Sequence, residues 1–68
     1  MIVQLNNRQA DLLRTVAIRQ ERSNVLYLEE SNLEVVSGLM YLNCVRIGPR
    51  KELLLTIIGG EYYRELFR

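Results

Sequence analysis

Cys44-Val45-Arg46-Ile47-Gly48-Pro49-Arg50-Lys51-Glu52-Leu53-Leu54-Leu55-Thr56-Ile57 carries the signature of a β-hairpin. Cys44 to Ile47 alternates in polarity, the period of a strand with one covered face. Gly48-Pro49-Arg50-Lys51 then reverses the chain, because the ring of Pro49 pre-sets the φ that the second position of a type I or II turn needs. Glu52 to Ile57 returns. Its run of three leucines predicts a strand covered on both faces, or one buried at an interface.

Helical patterns flank this hairpin. From about Asn7 to Gln20, Leu12, Leu13, Val16 and Ala17 share one face at the helical spacing. Asn6 with Gln9 three residues on predicts a capping box, which satisfies two otherwise orphaned backbone donors. Ser31-Asn32-Leu33-Glu34 fits a second box and starts a helix that ends near Asn43. There Leu33, Val36, Leu39, Met40 and Asn43 follow the helical spacing. Gly38 in mid-helix predicts close packing against another element. Thr56 is placed to cap a last helix from Ile57 to Phe67, whose Tyr62, Tyr63, Leu66 and Phe67 form an apolar stripe. Between the first two helices, Val25-Leu26-Tyr27-Leu28 is apolar throughout, and periodicity leaves residues 24–30 open between helix and strand.

The chain has 68 residues, 49% of them hydrophobic and 25% charged, with a net charge of +1. One α+β domain over residues 1–68 is expected, with no room for a second core. The composition is not that of a disordered chain. No stretch reaches the 18 or so apolar residues of a membrane span. Met1-Ile2-Val3-Gln4-Leu5 lacks the basic and apolar regions of a signal peptide, so a cytoplasmic setting is expected. Cys44 is the one cysteine and histidine is absent. That excludes an intrachain disulfide, a Cys/His zinc site and nucleophile–histidine catalysis within one chain. No enzyme activity, cofactor or metal is expected, and Cys44 reads as a small buried hydrophobe.

Helix, short segment, helix, hairpin, helix is an order that resembles the winged-helix DNA-binding domains. Gln9-Ala10-Asp11-Leu12-Leu13 resembles their opening helix. Val36-Ser37-Gly38-Leu39-Met40-Tyr41-Leu42-Asn43-Cys44-Val45 resembles the third helix running into the first wing strand. Leu55-Thr56-Ile57-Ile58-Gly59 with Tyr62-Tyr63 resembles the L-T-x-x-G-x-x-Y that closes the wing in small bacterial, archaeal and phage regulators. The resemblance spans nearly the whole chain. It implies a small winged-helix transcription regulator that binds double-stranded DNA as a homodimer. Two departures stand out. The usual second helix must fit between Ser23 and Glu30. The helix in the recognition position carries Glu30, Glu34, Ser37 and Tyr41 on its expected outer side, without Lys or Arg.

Charge is distributed in blocks. Glu29, Glu30 and Glu34 are the charged residues of 29–43, and Arg46, Arg50 and Lys51 those of 44–51. A basic wing would touch phosphates through Arg46, Arg50 and Lys51 in a weak, salt-sensitive complex. Asn32, Ser37 and Tyr41 are the polar groups of the second helix able to reach bases. Arg8, Arg14 and Arg19 are placed to line one side of the first helix. Tyr62, Tyr63, Leu66 and Phe67 fit either core packing or a dimer seam. The acidic second helix, with the apolar excess of residues 53–67, also fits an interaction module that binds a protein rather than DNA.

Overall fold

The computed structural model describes residues 4–67; residues 1–3, the start of the stretch weighed above as a signal peptide, and residue 68 lie outside it. Three helices, α1 (Asn7–Glu21), α2 (Leu33–Tyr41) and α3 (Ile57–Phe67), surround a two-stranded antiparallel sheet of β1 (Val45–Ile47) and β2 (Leu53–Leu55). The architecture is α+β.

Helix α1 begins as its sequence dictates. Gln9 N–H donates to Asn6 Oδ1 at 2.8 Å, and Asn6 N–H donates to Gln9 Oε1 at 3.1 Å. Leu13, Val16 and Ala17 form its buried face, with Leu12 half-buried beside them. The helix ends without glycine. Ser23 takes the left-handed φ of 57°, Ser23 N–H donates to Gln20 O at 3.1 Å, and Asn24 N–H donates to Arg19 O at 2.9 Å. This is the Schellman pattern that satisfies the last carbonyls.

Residues 24–30 resolve into two conformations. The chain runs extended through Leu26 and Tyr27, where Leu53 N–H donates to Leu26 O at 2.7 Å and Leu28 N–H donates to Lys51 O at 2.8 Å. A single bridge joins Tyr27 to Glu52 on the free side of β2. One turn of 3₁₀ helix, Leu28–Glu30, follows. A full helix has no space there, which is the tightness that the sequence suggested.

Helix α2 is capped by Asn32, not by Ser31 as the spacing predicts. Asn32 Oδ1 accepts from Glu34 N–H at 2.9 Å and Val35 N–H at 3.3 Å, while Ser31 Oγ donates back to Tyr27 O at 3.3 Å. Val36 and Leu39 are its buried residues. Leu33 and Met40, expected inward by spacing, are 62% and 41% exposed. Nine residues present too narrow a stripe to bury all five positions. A second Schellman ending, with Asn43 at φ 65°, sends Cys44 N–H to Leu39 O at 2.9 Å.

The hairpin pairs Val45 with Leu55, Arg46 with Leu54 and Ile47 with Leu53. Of the leucine run, Leu53 is fully buried and Leu54 and Leu55 are half-buried. At its base, Thr56 joins three elements. Its backbone N–H donates to Cys44 O at 3.0 Å, its hydroxyl donates to Asn43 O at 2.5 Å, and its Oγ accepts Gly59 N–H at 2.9 Å to cap α3. Gly59 is required at this join, because a Cβ there would stand 1.9 Å from Cys44 O. Leu13, Val16, Val36, Leu39, Cys44 and Leu53 form the fully buried centre of one core. Burial raises the Cys44 thiol pKa, so the thiolate is disfavoured.

Candidate nucleic-acid interface

The hairpin tip is built by backbone geometry. Lys51 N–H donates to Gly48 O at 3.0 Å, closing a β-turn with Pro49 in its second position, and Gly48 N–H donates to Glu52 O at 2.8 Å. Lys51 has φ 62°, the left-handed residue that a three-residue hairpin loop needs to match the twist of its strands. Arg46, Arg50 and Lys51 are all exposed. Arg50 and Lys51 share the tip, whereas Arg46 stands back on β1 opposite Leu54.

Glu52 lies beneath the tip and is only 9% exposed. Its carboxylate accepts Arg50 N–H at 2.7 Å, and Arg50 Nε lies 4.0 Å from Oε2. Its own backbone N–H and that of Arg50 hold the carboxyl below its usual range; burial opposes them, and the charges of Arg50 and Arg46 add a smaller lowering. A carboxyl whose folded value is depressed stabilises fully above the unfolded value. That contribution is lost as pH falls through the folded value. In the sequence Glu52 is only the first residue of the returning strand. No local signal marks it, since the role depends on where the turn brings Arg50 N–H.

A groove of about 440 Å³ is lined by Arg50 and Lys51 of the tip, by Tyr27, Leu28, Glu29 and Ser31, and by Leu33, the first residue of α2. Asn32 instead faces a second groove, of about 500 Å³, with Arg8, Asp11, Leu12 and Val35. Its Oδ1 is occupied by the cap, which leaves the amide NH₂ as its free donor. Ser37 and Tyr41 are exposed further along α2, Tyr41 at 89%, and neither lines the groove beside the tip. The six candidate positions therefore do not share one surface: Arg50 and Lys51 stand at the tip, Arg46 on β1, Asn32 in the second groove, and Ser37 and Tyr41 on an α2 face with Leu33, Glu34 and Met40.

The arginines of α1 do not act as one row. Arg19 Nε donates to Asn24 O at 2.8 Å and Arg19 Nη1 lies 3.7 Å from Glu30 Oε2, so it clamps the chain after α1. Arg14 stacks over the Phe67 ring at 5.6 Å. Within the C-terminal set, Tyr62 is 5% exposed and belongs to the core, which corrects its placement at a seam. Tyr63 is half-buried with its ring 5.5 Å from that of Phe67, and Leu66 and Phe67 remain 42% and 38% exposed.

Among the described residues, no group of three or more His, Cys, Asp or Glu is placed to hold a metal ion, and no helix is long and apolar enough to cross a membrane. No family model, curated protein or solved structure matches the chain.

Proposed function

We propose that this chain is a small winged-helix regulator that binds duplex DNA through the hairpin tip. The observation that carries this reading is the exposed Arg50–Lys51 pair facing the start of α2 across an open groove. The bridge of Tyr27 to Glu52 supports it too, since it lays the extended chain before α2 alongside the hairpin. Arg46, Arg50 and Lys51 contact phosphates. The Asn32 amide, Ser37 and Tyr41 offer polar groups to base edges. Tyr63, Leu66 and Phe67 supply a seam between two copies. Three phosphate contacts give a log–log salt slope of about −2.7. Fluorescence anisotropy against mixed-sequence duplex DNA, from about 50 mM salt upward, tests this. A linear salt-dependent fall in affinity supports the reading, and no binding at the lowest salt overturns it.

A second reading is favoured by the face of α2. Leu33, Met40 and Tyr41 are exposed around Glu34, a surface better suited to an apolar, basic protein partner than to phosphates. This reading expects a stable protein complex with no salt-dependent DNA affinity.

A further inference from the structure

The geometry of the tip points to a role for Glu52 that rests on the DNA-binding reading above. We propose that Glu52 is a positioning residue: its carboxylate braces the turn from beneath and sets the direction in which Arg50 and Lys51 meet a phosphate backbone. The third residue of a β-turn has no partner within the turn for its N–H. Here that residue is Arg50, and Glu52 Oε1 accepts its proton at 2.7 Å. The Arg50 side chain is left 83% exposed, while that of Glu52 is 12% exposed. The brace is held in and the contacting group held out, linked only by the 4.0 Å approach of Arg50 Nε to Glu52 Oε2.

Gly48 makes room for the brace. A Cβ at position 48 would stand 2.4 Å from Glu52 Oε1 and 2.6 Å from its Cδ. The backbone around Glu52 is fixed without its side chain, because Leu28 N–H binds Lys51 O at 2.8 Å and Leu53 N–H binds Leu26 O at 2.7 Å. Removing the carboxylate therefore leaves the strand paired and loosens the tip at Pro49 and Arg50. Lys51 holds a left-handed backbone that a lysine seldom adopts, so a released tip relaxes toward other conformations.

The acceptor and the charge of Glu52 have opposite effects on binding. The acceptor holds the turn. The charge subtracts from a tip that attracts phosphate. Glu52→Gln keeps an acceptor oxygen and removes the charge, whereas Glu52→Ala removes both.

The test is anisotropy of the full chain with mixed-sequence duplex DNA at three salt concentrations, with circular dichroism of every variant at the assay temperature. Glu52→Ala is expected to bind about tenfold more weakly at low salt, its slope falling from about −2.7 toward −1.8 as the Arg50 contact is lost. Glu52→Gln is expected to match the parent or bind up to about threefold tighter, with the slope kept. Gly48→Ala pushes the carboxylate aside and should behave like Glu52→Ala. Where Glu52→Ala is not folded, the contrast between Gly48→Ala and Glu52→Gln decides. Parent-like binding by a folded Glu52→Ala, or by Gly48→Ala, overturns the brace. So does a Glu52→Gln as weak as Glu52→Ala. A parent chain that binds no DNA overturns the reading on which the brace rests, and a parent that binds while the variants do not differ overturns the brace alone.

Discussion

The hairpin tip and the start of α2 face one another across a single groove, yet they are made of opposite chemistry. The tip is short, cationic and held by hydrogen bonds of its own backbone and of Glu52. The helix is fixed by a buried inner stripe, Val36 and Leu39, and offers water an outer face of Leu33, Glu34, Ser37, Met40 and Tyr41. Attraction for a polyanion is therefore concentrated in a three-residue turn. The helix next to it contributes no cation, and its one acid, Glu34, opposes phosphate. On the proposed reading, the contrast separates two questions: what draws the domain to a phosphate backbone, and what α2 contacts once there.

The contrast depends on α2 keeping its inner stripe, and the largest expected effect is there. Leu39 is fully buried, so Leu39→Ala should cost about 2–5 kcal/mol in urea unfolding, enough to unfold a domain this small. Next comes charge. Arg50→Glu with Lys51→Glu should weaken duplex binding by more than about tenfold at low salt, whereas Glu29→Gln with Glu34→Gln should strengthen it only a few-fold. Equal effects from the two pairs would erase the contrast. A smaller effect is expected in the turn itself. Lys51→Gly relieves the left-handed backbone and should stabilise by about 1 kcal/mol in thermal or urea unfolding while weakening DNA binding, so stability and affinity part company at one position. The smallest is on the outer face of α2. Tyr41 is 89% exposed, and Tyr41→Ala should change stability by less than about 0.5 kcal/mol. Any larger loss of function in that variant then reports a contact with a partner, read directly by affinity.

The capping of α1 was legible because Asn6 and Gln9 specify it through a local pattern, and Thr56 announced α3 in the same way. Gly38 also behaved as read: a Cβ there would meet Gln9 Nε2 at 2.7 Å, so it marks the close approach of α2 to the start of α1. The cap of α2 falls one residue later than the box suggests because Ser31 and Asn32 are both good caps, and the Ser31 hydroxyl turns back to Tyr27 O, four residues earlier, in a segment whose conformation the sequence leaves open. Residues 24–30 were ambiguous for a sound reason. Their extended part exists only through pairing with residues 51–53, which no local periodicity can record. In the candidate site, the charges of the tip were visible but the brace was not. Glu52 looks like an ordinary strand residue until the turn folds over it. Likewise Ser23 and Asn43 end their helices in the left-handed region without the glycine that usually gives such endings away.

The join at Thr56 has a bearing on how this domain can change over time. Because the hairpin is closed at its base by Thr56 and Cys44, the residues beyond the paired strands carry no responsibility for keeping α2 and α3 together. Lengthening a loop adds closure entropy only slowly, roughly 0.6 kcal/mol for each doubling. Between Pro49 and Arg50, short of the Lys51 carbonyl that holds Leu28, insertions can thus be tried at small thermodynamic risk, and new contact chemistry grafted while the three helices are inherited unchanged.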